Sequence, residues 1–297
     1  MNRKIRIGAL QLSGPVRVEP DTAEKDKAKV VERLIHLIKK AAKDGVNIAC
    51  TTELSLTPFF CNKLIRDNDY FFDDLPSPLT EPLLQEAKKN HMALVLAYAE
   101  RDGIYRYNSA LIFDTDGKVL GKYRKVHIPA YFPSNLPGGT GSYERFYFTP
   151  GNLGFPTFDL KEFNTRIAVQ ICYDRMFPEG YRILGLKGAE IVFNPTNYAT
   201  YGQTYRISAW GRLVQARAYE NGFFVCIPNK AGIEEERENA GRSMILSPVG
   251  GEILVTGSPD KEEVIHNEID LDVSSNARKT IPYWRDRRPS VYGELLK

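Results

Sequence analysis

Residues 4–51 run strand, helix, strand in quick succession, and this constrains the fold more than any other stretch. Ile5, Ile7 and Ala9 alternate with polar positions and lead into Leu10 and Leu12, which is strand periodicity. Over 22–44, Val30, Val31, Leu34, Leu37, Ile38 and Ala41 recur at three- and four-residue spacing, the stripe of an amphipathic helix. Asp21 or Thr22 stands where an N-cap belongs, and Gly45 where a glycine ends a helix. Residues 46–51 form a short apolar strand that stops at Glu53. Two strands joined by a crossover of this length are expected to pair in parallel.

The alternation continues. A helix is expected over 80–90 and a buried strand over 92–99, then strands 107–114 and 118–124 around the turn Thr115-Asp116-Gly117. Residues 130–154 are rich in Gly, Pro and aromatics without periodicity, the kind of long loop that usually serves function. Strand 166–171 stops at Cys172, followed by helix 178–187, strand 190–193, helix 204–221 and strand 222–228. A hairpin turns at Pro248-Val249-Gly250-Gly251 within 242–256, and a last strand covers 262–269. No repeat or composition break divides the chain. The expectation is an α/β single domain over 1–275, with an extension over 276–297 that makes oligomer contacts through Tyr283, Trp284 and Tyr292. Strands between helices together with hairpins imply mixed sheets. Two mixed β-sheets flanked by helices, an α-β-β-α sandwich, fit the count.

The bulk numbers narrow the function classes. The 297 residues include 40 Lys and Arg against 37 Asp and Glu, a net charge of +3 with no basic block, so no nucleic-acid partner is expected. No apolar run reaches the ~18 residues of a membrane span, so no membrane partner is expected either. The N-terminal segment alternates apolar and charged residues, unlike a signal-peptide core, and the location expected is cytoplasmic. Cys50, Cys61, Cys172 and Cys226 lie far apart with no C-x-x-C pair, so free thiols are expected. Neither a metal-ligand cluster nor a phosphate-binding glycine loop is visible, so no metal and no cofactor is expected.

Three residues with reactive side chains stand at the ends of expected strands, where open α/β sheets build ligand sites: Glu53, Lys125 and Cys172. Singly each has an ordinary reading: a helix cap or surface group for Glu53, a solvated amine for Lys125, a small buried hydrophobe for Cys172. Together they suit covalent catalysis. A thiol near its reference pKa of about 8.5 is mostly protonated at neutral pH. A carboxylate beside it can take its proton as the sulfur attacks, and an ammonium can stabilise the thiolate and the oxyanion that forms.

Over residues 4–270 the chain resembles the nitrilase superfamily of carbon–nitrogen hydrolases. The resemblance rests on Thr52-Glu53-Leu54-Ser55-Leu56-Thr57-Pro58, on Lys122-Tyr123-Arg124-Lys125-Val126-His127-Ile128-Pro129, and on Ile171-Cys172-Tyr173-Asp174-Arg175-Met176-Phe177-Pro178-Glu179, in the family's order. It implies that Cys172 is the nucleophile, Glu53 the general base and acid, and Lys125 the cationic partner. It also implies that the Tyr173 backbone N–H is an oxyanion donor and that Glu144 hydrogen-bonds the lysine. The ordinary reading of Glu144 is a solvated carboxylate paired with Arg145. His127 is expected to hydrogen-bond behind the reacting groups, since Glu53 already fills the base's role. The resemblance further implies a homodimer or larger assembly, with helix 204–221 and the tail as contact surfaces.

The branch is similar to the carbamoylases, which cleave N-carbamoyl (ureido) amino acids. That similarity rests on the run Tyr147-Phe148-Thr149-Pro150-Gly151-Asn152-Leu153-Gly154-Phe155-Pro156, on residues 185–191, and on Arg175. Arg175 is expected at the pocket mouth as a clamp on the substrate carboxylate, the ordinary alternative being an ion pair with Asp174 or Glu179. The D-amino-acid carbamoylases read Cys-Asn-Asp-Arg-Arg-Trp-Pro-Glu at this block. Here Tyr173 and Met176 depart from it, and Cys-Tyr-x-Arg with Phe193-Asn194-Pro195-Thr196 is similar to the β-ureidopropionases. Asn197 and Tyr198 are candidate pocket residues, while Arg206 and Trp210 read as structural or interface groups. Competing readings are an N-carbamoylputrescine-type or simple aliphatic amidase, a true nitrilase, and a non-catalytic interaction protein on the same fold. Cys172-Tyr173-Asp174 speaks against the true nitrilase, and the presence of all three reactive residues speaks against the non-catalytic reading.

Overall fold

The computed structural model describes residues 3–14, 16–132, 141–200 and 203–296. Strand β1 (Lys4–Gln11), helix α1 (Ala23–Lys43), strand β2 (Ile48–Thr51), helix α2 (Glu81–Lys89) and strand β3 (Ala93–Asp102) form the parallel unit. Gly45 ends α1's approach to β2 at φ +75°, a conformation that suits glycine. Strands β4 (Tyr105–Phe113) and β5 (Val119–Arg124) extend the sheet antiparallel past β3, turning at Gly117 with φ +81°. The long stretch after β5 contains one short helix, α3 (Glu144–Tyr147); its residues 133–140 lie outside the described residues.

The second half repeats the scheme with β6 (Thr157–Leu160), β7 (Thr165–Val169), α4 (Pro178–Leu186), β8 (Ile191–Phe193), α5 (Thr204–Asn221) and β9 (Phe224–Ile227). A hairpin of β10 (Ala231–Glu234) and β11 (Arg237–Ala240) follows, then β12 (Met244–Leu246), β13 (Ile253–Thr256), β14 (Glu263–Asp270) and α6 (Asp272–Thr280). One six-stranded sheet has the order β14-β1-β2-β3-β4-β5, the other β13-β12-β9-β8-β7-β6. In each, three central strands are parallel and the flanks antiparallel, so both sheets are mixed.

Strand periodicity builds the layers. Ile5, Ile7 and Ala9 face inward, where they meet Ile167, Val169, Ile191 and Phe224 of the other sheet in a core between the sheets. Leu10, Ala49, Leu94 and Leu96 face outward onto Val30, Leu34, Leu37 and Ile38 of α1 and Leu83 of α2. On the far side, Val192, Val225 and Ile227 pack against Tyr181 and Leu184 of α4 and Trp210, Val214 and Ala218 of α5. The architecture is the α-β-β-α sandwich of a single domain.

Several elements differ from the sequence expectation. β6 and the β10–β11 hairpin lie in stretches to which the sequence assigns no element, and α6 spans the boundary placed at residue 275. The tail aromatics are not wholly turned to solvent. Trp284 packs so closely on Gly185 of α4 that a Cβ there would come within 2.4 Å of its ring. The guanidiniums of Arg182 and Arg278 lie 4.9 and 5.2 Å from that ring, and the Tyr283 hydroxyl meets that of Tyr219 on α5 at 2.9 Å. No helix among the described residues is long and apolar enough to cross a membrane.

Candidate active site

The segments that follow β2, β5 and β7 bring three side chains to one place. Glu53 follows β2, where Leu54 turns the chain at φ +50°. Its carboxylate is fully buried: Oε1 accepts from Lys125 Nζ and from Asn108 Nδ2, both at 2.8 Å, and Oε2 accepts from the Asn197 backbone N–H at 2.9 Å. Lys125 follows β5, anchored by its N–H to the Asn108 carbonyl at 2.8 Å. Its Nζ also reaches Glu144 Oε2 at 2.6 Å. Glu144 is thus a buried partner of the lysine, while Arg145 instead donates to the Ile128 carbonyl.

Cys172 opens a short 3-10 helix three residues past the end of β7, at φ +43°. A left-handed conformation is strained for a residue with a Cβ and persists only where the surroundings enforce it. Here its N–H is fixed to the Pro195 carbonyl at 2.9 Å, and its thiol lies beside the Glu53 carboxylate. The Tyr173 N–H, in the first turn of that 3-10 helix, makes no hydrogen bond among the described residues.

Burial and the mutual charges set the protonation states. Burial, and then the Glu53 charge, push the Cys172 thiol up to about 11, against which Arg175 and Lys125 pull it down. The resting sulfur is therefore a thiol. Burial pushes Glu53 up too, but Lys125, with the bonds from Cys172 and Asn108, outweighs it and holds the carboxyl below its ordinary range. Burial works against the Lys125 ammonium, yet Glu144 and Glu53 hold it well above the ordinary lysine value. Glu144 is pushed up to about 7 by burial, opposed by Lys125 and assisted by the like charge of Glu53. A thiol, a carboxylate that accepts its proton, and a permanent cation beside both make a nucleophile that is activated as it reacts.

Arg175 departs from its expected place. It is buried and pairs with neither Asp174 nor Glu179; Nη1 donates to the Cys172 carbonyl at 2.6 Å and lies 3.5 Å from its sulfur. Its guanidinium lies 4.6 Å from the centre of the Tyr198 ring. The 3-10 turn accounts for this, because it folds residue 175 back over residue 172 instead of sending it to the pocket rim. Asn197 lies at the base of the site. Its N–H holds Glu53 and its carbonyl accepts from Arg237 Nη2 at 2.6 Å, while both polar atoms of its buried side chain lack a hydrogen-bond partner among the described residues. The Tyr198 ring also carries Arg206 at 4.9 Å and Trp210 at 5.7 Å. His127 stacks on Phe177 at 3.8 Å and hydrogen-bonds Asp174 through Nδ1 at 2.8 Å. Cys50, Cys61 and Cys226 are buried free thiols in the packing.

Asn108 and Arg237 were not singled out from sequence. For Asn108 there was a signal, a polar pair Asn108-Ser109 interrupting an apolar strand. Arg237 gave none, since its hairpin looks like polar loop. Among the described residues no group of three His, Cys, Asp or Glu side chains could hold a metal ion.

The sequence model of a family described as "Carbon-nitrogen hydrolase" matches residues 6–279. The chain is 33% identical to an N-carbamoylputrescine amidase of Solanum tuberosum, with 99% of this chain and 96% of that protein covered. It is 31% identical to a citrullinase of Francisella tularensis, covering 99% of this chain and 98% of that one. In structure it is similar to a carbon-nitrogen hydrolase from Helicobacter pylori G27, with a TM-score of 0.84, 29% identity and 99% of each chain covered. It is also similar to Saccharomyces cerevisiae Nit3, a member of branch 10 of the nitrilase superfamily, with a TM-score of 0.75, 26% identity, and 96% of this chain and 97% of that one covered.

Proposed function

The chain belongs to the carbon–nitrogen hydrolase family, and on that premise we propose that it hydrolyses the carbamoyl group of a ureido compound through a thioester on Cys172. The coarser statement stands on the family: it is an amidohydrolase of the nitrilase superfamily, a hydrolase of non-peptide carbon–nitrogen bonds.

The steps follow from the geometry. The resting thiol and a carboxylate held low make free thiolate scarce, so the proton passes to Glu53 as the sulfur–carbon bond forms. Lys125 and the Tyr173 N–H stabilise the oxygen that gains charge, each such donor contributing roughly 3 kcal/mol to the barrier. Glu53 returns the proton to the departing nitrogen as the carbon–nitrogen bond breaks. Water then gives a proton to Glu53 and attacks the thioester; as the sulfur–carbon bond breaks, Glu53 passes that proton to the sulfur, which leaves as thiol. Glu144 keeps Lys125 in place through its 2.6 Å bond. For a carbamoyl group the products are the amine or amino acid, CO2 and ammonia.

The observation that carries the ureido reading is the Asn197 side chain. A buried amide with unpaired donor and acceptor is costly unless a ligand completes it. A ureido group or a simple amide offers the matching acceptor and donors, whereas a nitrile offers no donor; between the first two, the relatives named N-carbamoylputrescine amidase and citrullinase favour the ureido group. The buried guanidinium of Arg175 favours an N-carbamoyl amino acid, whose carboxylate it would attract. A second reading, an N-carbamoyl amine, is favoured by the relatives named for N-carbamoylputrescine.

Ammonia release from a panel of N-carbamoyl amino acids, N-carbamoyl amines, simple amides and nitriles tests both. Ureido compounds should be turned over best, and Asn197→Ala should lower their kcat/KM by about 10- to 100-fold. Preference for simple amides or nitriles would end the ureido reading, and preference for carbamoyl amines over carbamoyl acids would replace the first substrate with the second.

A further inference from the structure

One buried carboxylate near the site takes no part in the steps above. Asp174 lies two residues past Cys172 and is fully buried. Its Oδ1 accepts from the His127 backbone N–H at 3.0 Å and from His127 Nδ1 at 2.8 Å. Its Oδ2 accepts from the Tyr123 hydroxyl at 2.7 Å and from the Ile171 N–H at 2.9 Å. Four donors thus fill the capacity of one carboxylate.

The choice of donors gives the carboxylate a role. Tyr123 and His127 stand two residues before and two after Lys125. Ile171 immediately precedes Cys172 and carries the chain into its left-handed turn. Tyr123 belongs to one sheet, and Ile171 continues a strand of the other, so Asp174 ties the two sheets together at their reactive ends. Gln170 strengthens the tie by donating to the Tyr123 hydroxyl at 3.1 Å.

We infer that Asp174 is a positioning residue that sets the place of Lys125 relative to the Cys172 sulfur and holds Cys172 in its strained turn. This inference rests on the proposed roles of those two residues. In Asp174→Asn the shape is kept, but the amide nitrogen faces two donors that then have no acceptor. The brace opens and the lysine is free to withdraw from the sulfur. The charged groups around that sulfur are Glu53, Arg175, Lys125 and Glu144. Of these, Lys125 is the cation whose strand Asp174 holds.

Two readouts test it, one without turnover. Asp174→Asn should lower kcat by about 100-fold with KM within about twofold, as displacement by an ångström does in a preorganised site. The pH at which iodoacetamide begins to alkylate Cys172 should move up, because the thiolate has lost a cation. Asp174→Glu, which keeps the acceptors, should recover part of both. If Asp174→Asn does not fold, Tyr123→Phe removes one arm only and should show the same two shifts, smaller. A folded Asp174→Asn, or Tyr123→Phe in its stead, with wild-type kcat overturns the inference. So does a loss of kcat with an unchanged alkylation profile, which would mean that Asp174 acts otherwise than by placing Lys125 against the sulfur. The alkylation profile needs no substrate, so it stands apart from any failure of the ureido reading.

Discussion

Replacing Lys125 by Met removes the ammonium while keeping a side chain of similar length. In the structure that ammonium is 2.8 Å from Glu53 and 2.6 Å from Glu144, with no solvent access. Loss of one oxyanion donor costs about 3 kcal/mol, or roughly 100-fold in kcat. A second effect adds to it: two buried carboxylates are left facing each other without their cation, so Glu53 rises and part of the enzyme cannot accept the thiol proton. A fall of 100- to 1,000-fold in the acylation rate is expected, measured as acyl-enzyme formed in a single turnover by quench and intact mass. The substrate dissociation constant should change little, because the charge matters most once the oxyanion forms. Breaking a buried ion pair from one side costs about 3–5 kcal/mol of stability, so the variant must be shown folded at the assay temperature. A rise in KM with unchanged kcat would make Lys125 a binding residue and refute its assigned role.

Two further expectations follow from the same geometry, and a third from the family resemblance. Arg175→Lys removes the planar guanidinium that lies on the Tyr198 ring and sets its Nη1 against the Cys172 carbonyl and sulfur, so all substrates should slow, with a further ~10-fold loss confined to carbamoyl amino acids. An unchanged ratio between carbamoyl acids and neutral amides would end the carboxylate reading. Glu144, raised to about 7 in the fold, binds its proton more tightly there than when unfolded. Its contribution to stability is therefore full below the ordinary glutamate value near pH 4.5 and is lost as pH rises through about 7. The stability of the wild type should fall across that window relative to Glu144→Gln by an amount on the order of 3 kcal/mol, read as a falling melting temperature, and parallel curves would refute the shift. We also propose that the protein is a homodimer or larger, with α5 and the tail in contact; light scattering that finds a monomer at micromolar concentration would exclude it.

The fold was legible wherever burial imposes a period. The stripe of α1 and the alternation of Ile5, Ile7 and Ala9 placed whole layers, because each face must meet a core. What was illegible is held by polar groups that pair at a distance. The β10–β11 hairpin looks like surface loop, yet Glu234 is buried, accepting from the N–H groups of Val16 and Phe59 while Lys230 pairs with it. The helix α6 has too little apolar stripe to announce itself. At the site, Glu53, Lys125 and Cys172 could be read because strand ends deliver them to one place. Asn108 left only the polar pair Asn108-Ser109 as a trace, with nothing to say which strand end it faces, and the inward fold of Arg175 left none, since it depends on a single 3-10 turn.

The central claim is that Cys172 carries the acyl group during turnover. Acid quench of the enzyme during steady turnover, followed by digestion and mass spectrometry, should find the substrate's acyl part on the peptide containing Cys172. Neither that adduct nor turnover should remain in a folded Cys172→Ala variant. Iodoacetamide should label Cys172 ahead of Cys50, Cys61 and Cys226, whose thiols are buried in the packing. Turnover that survives in Cys172→Ala, or an adduct on another residue, would contradict the thioester mechanism.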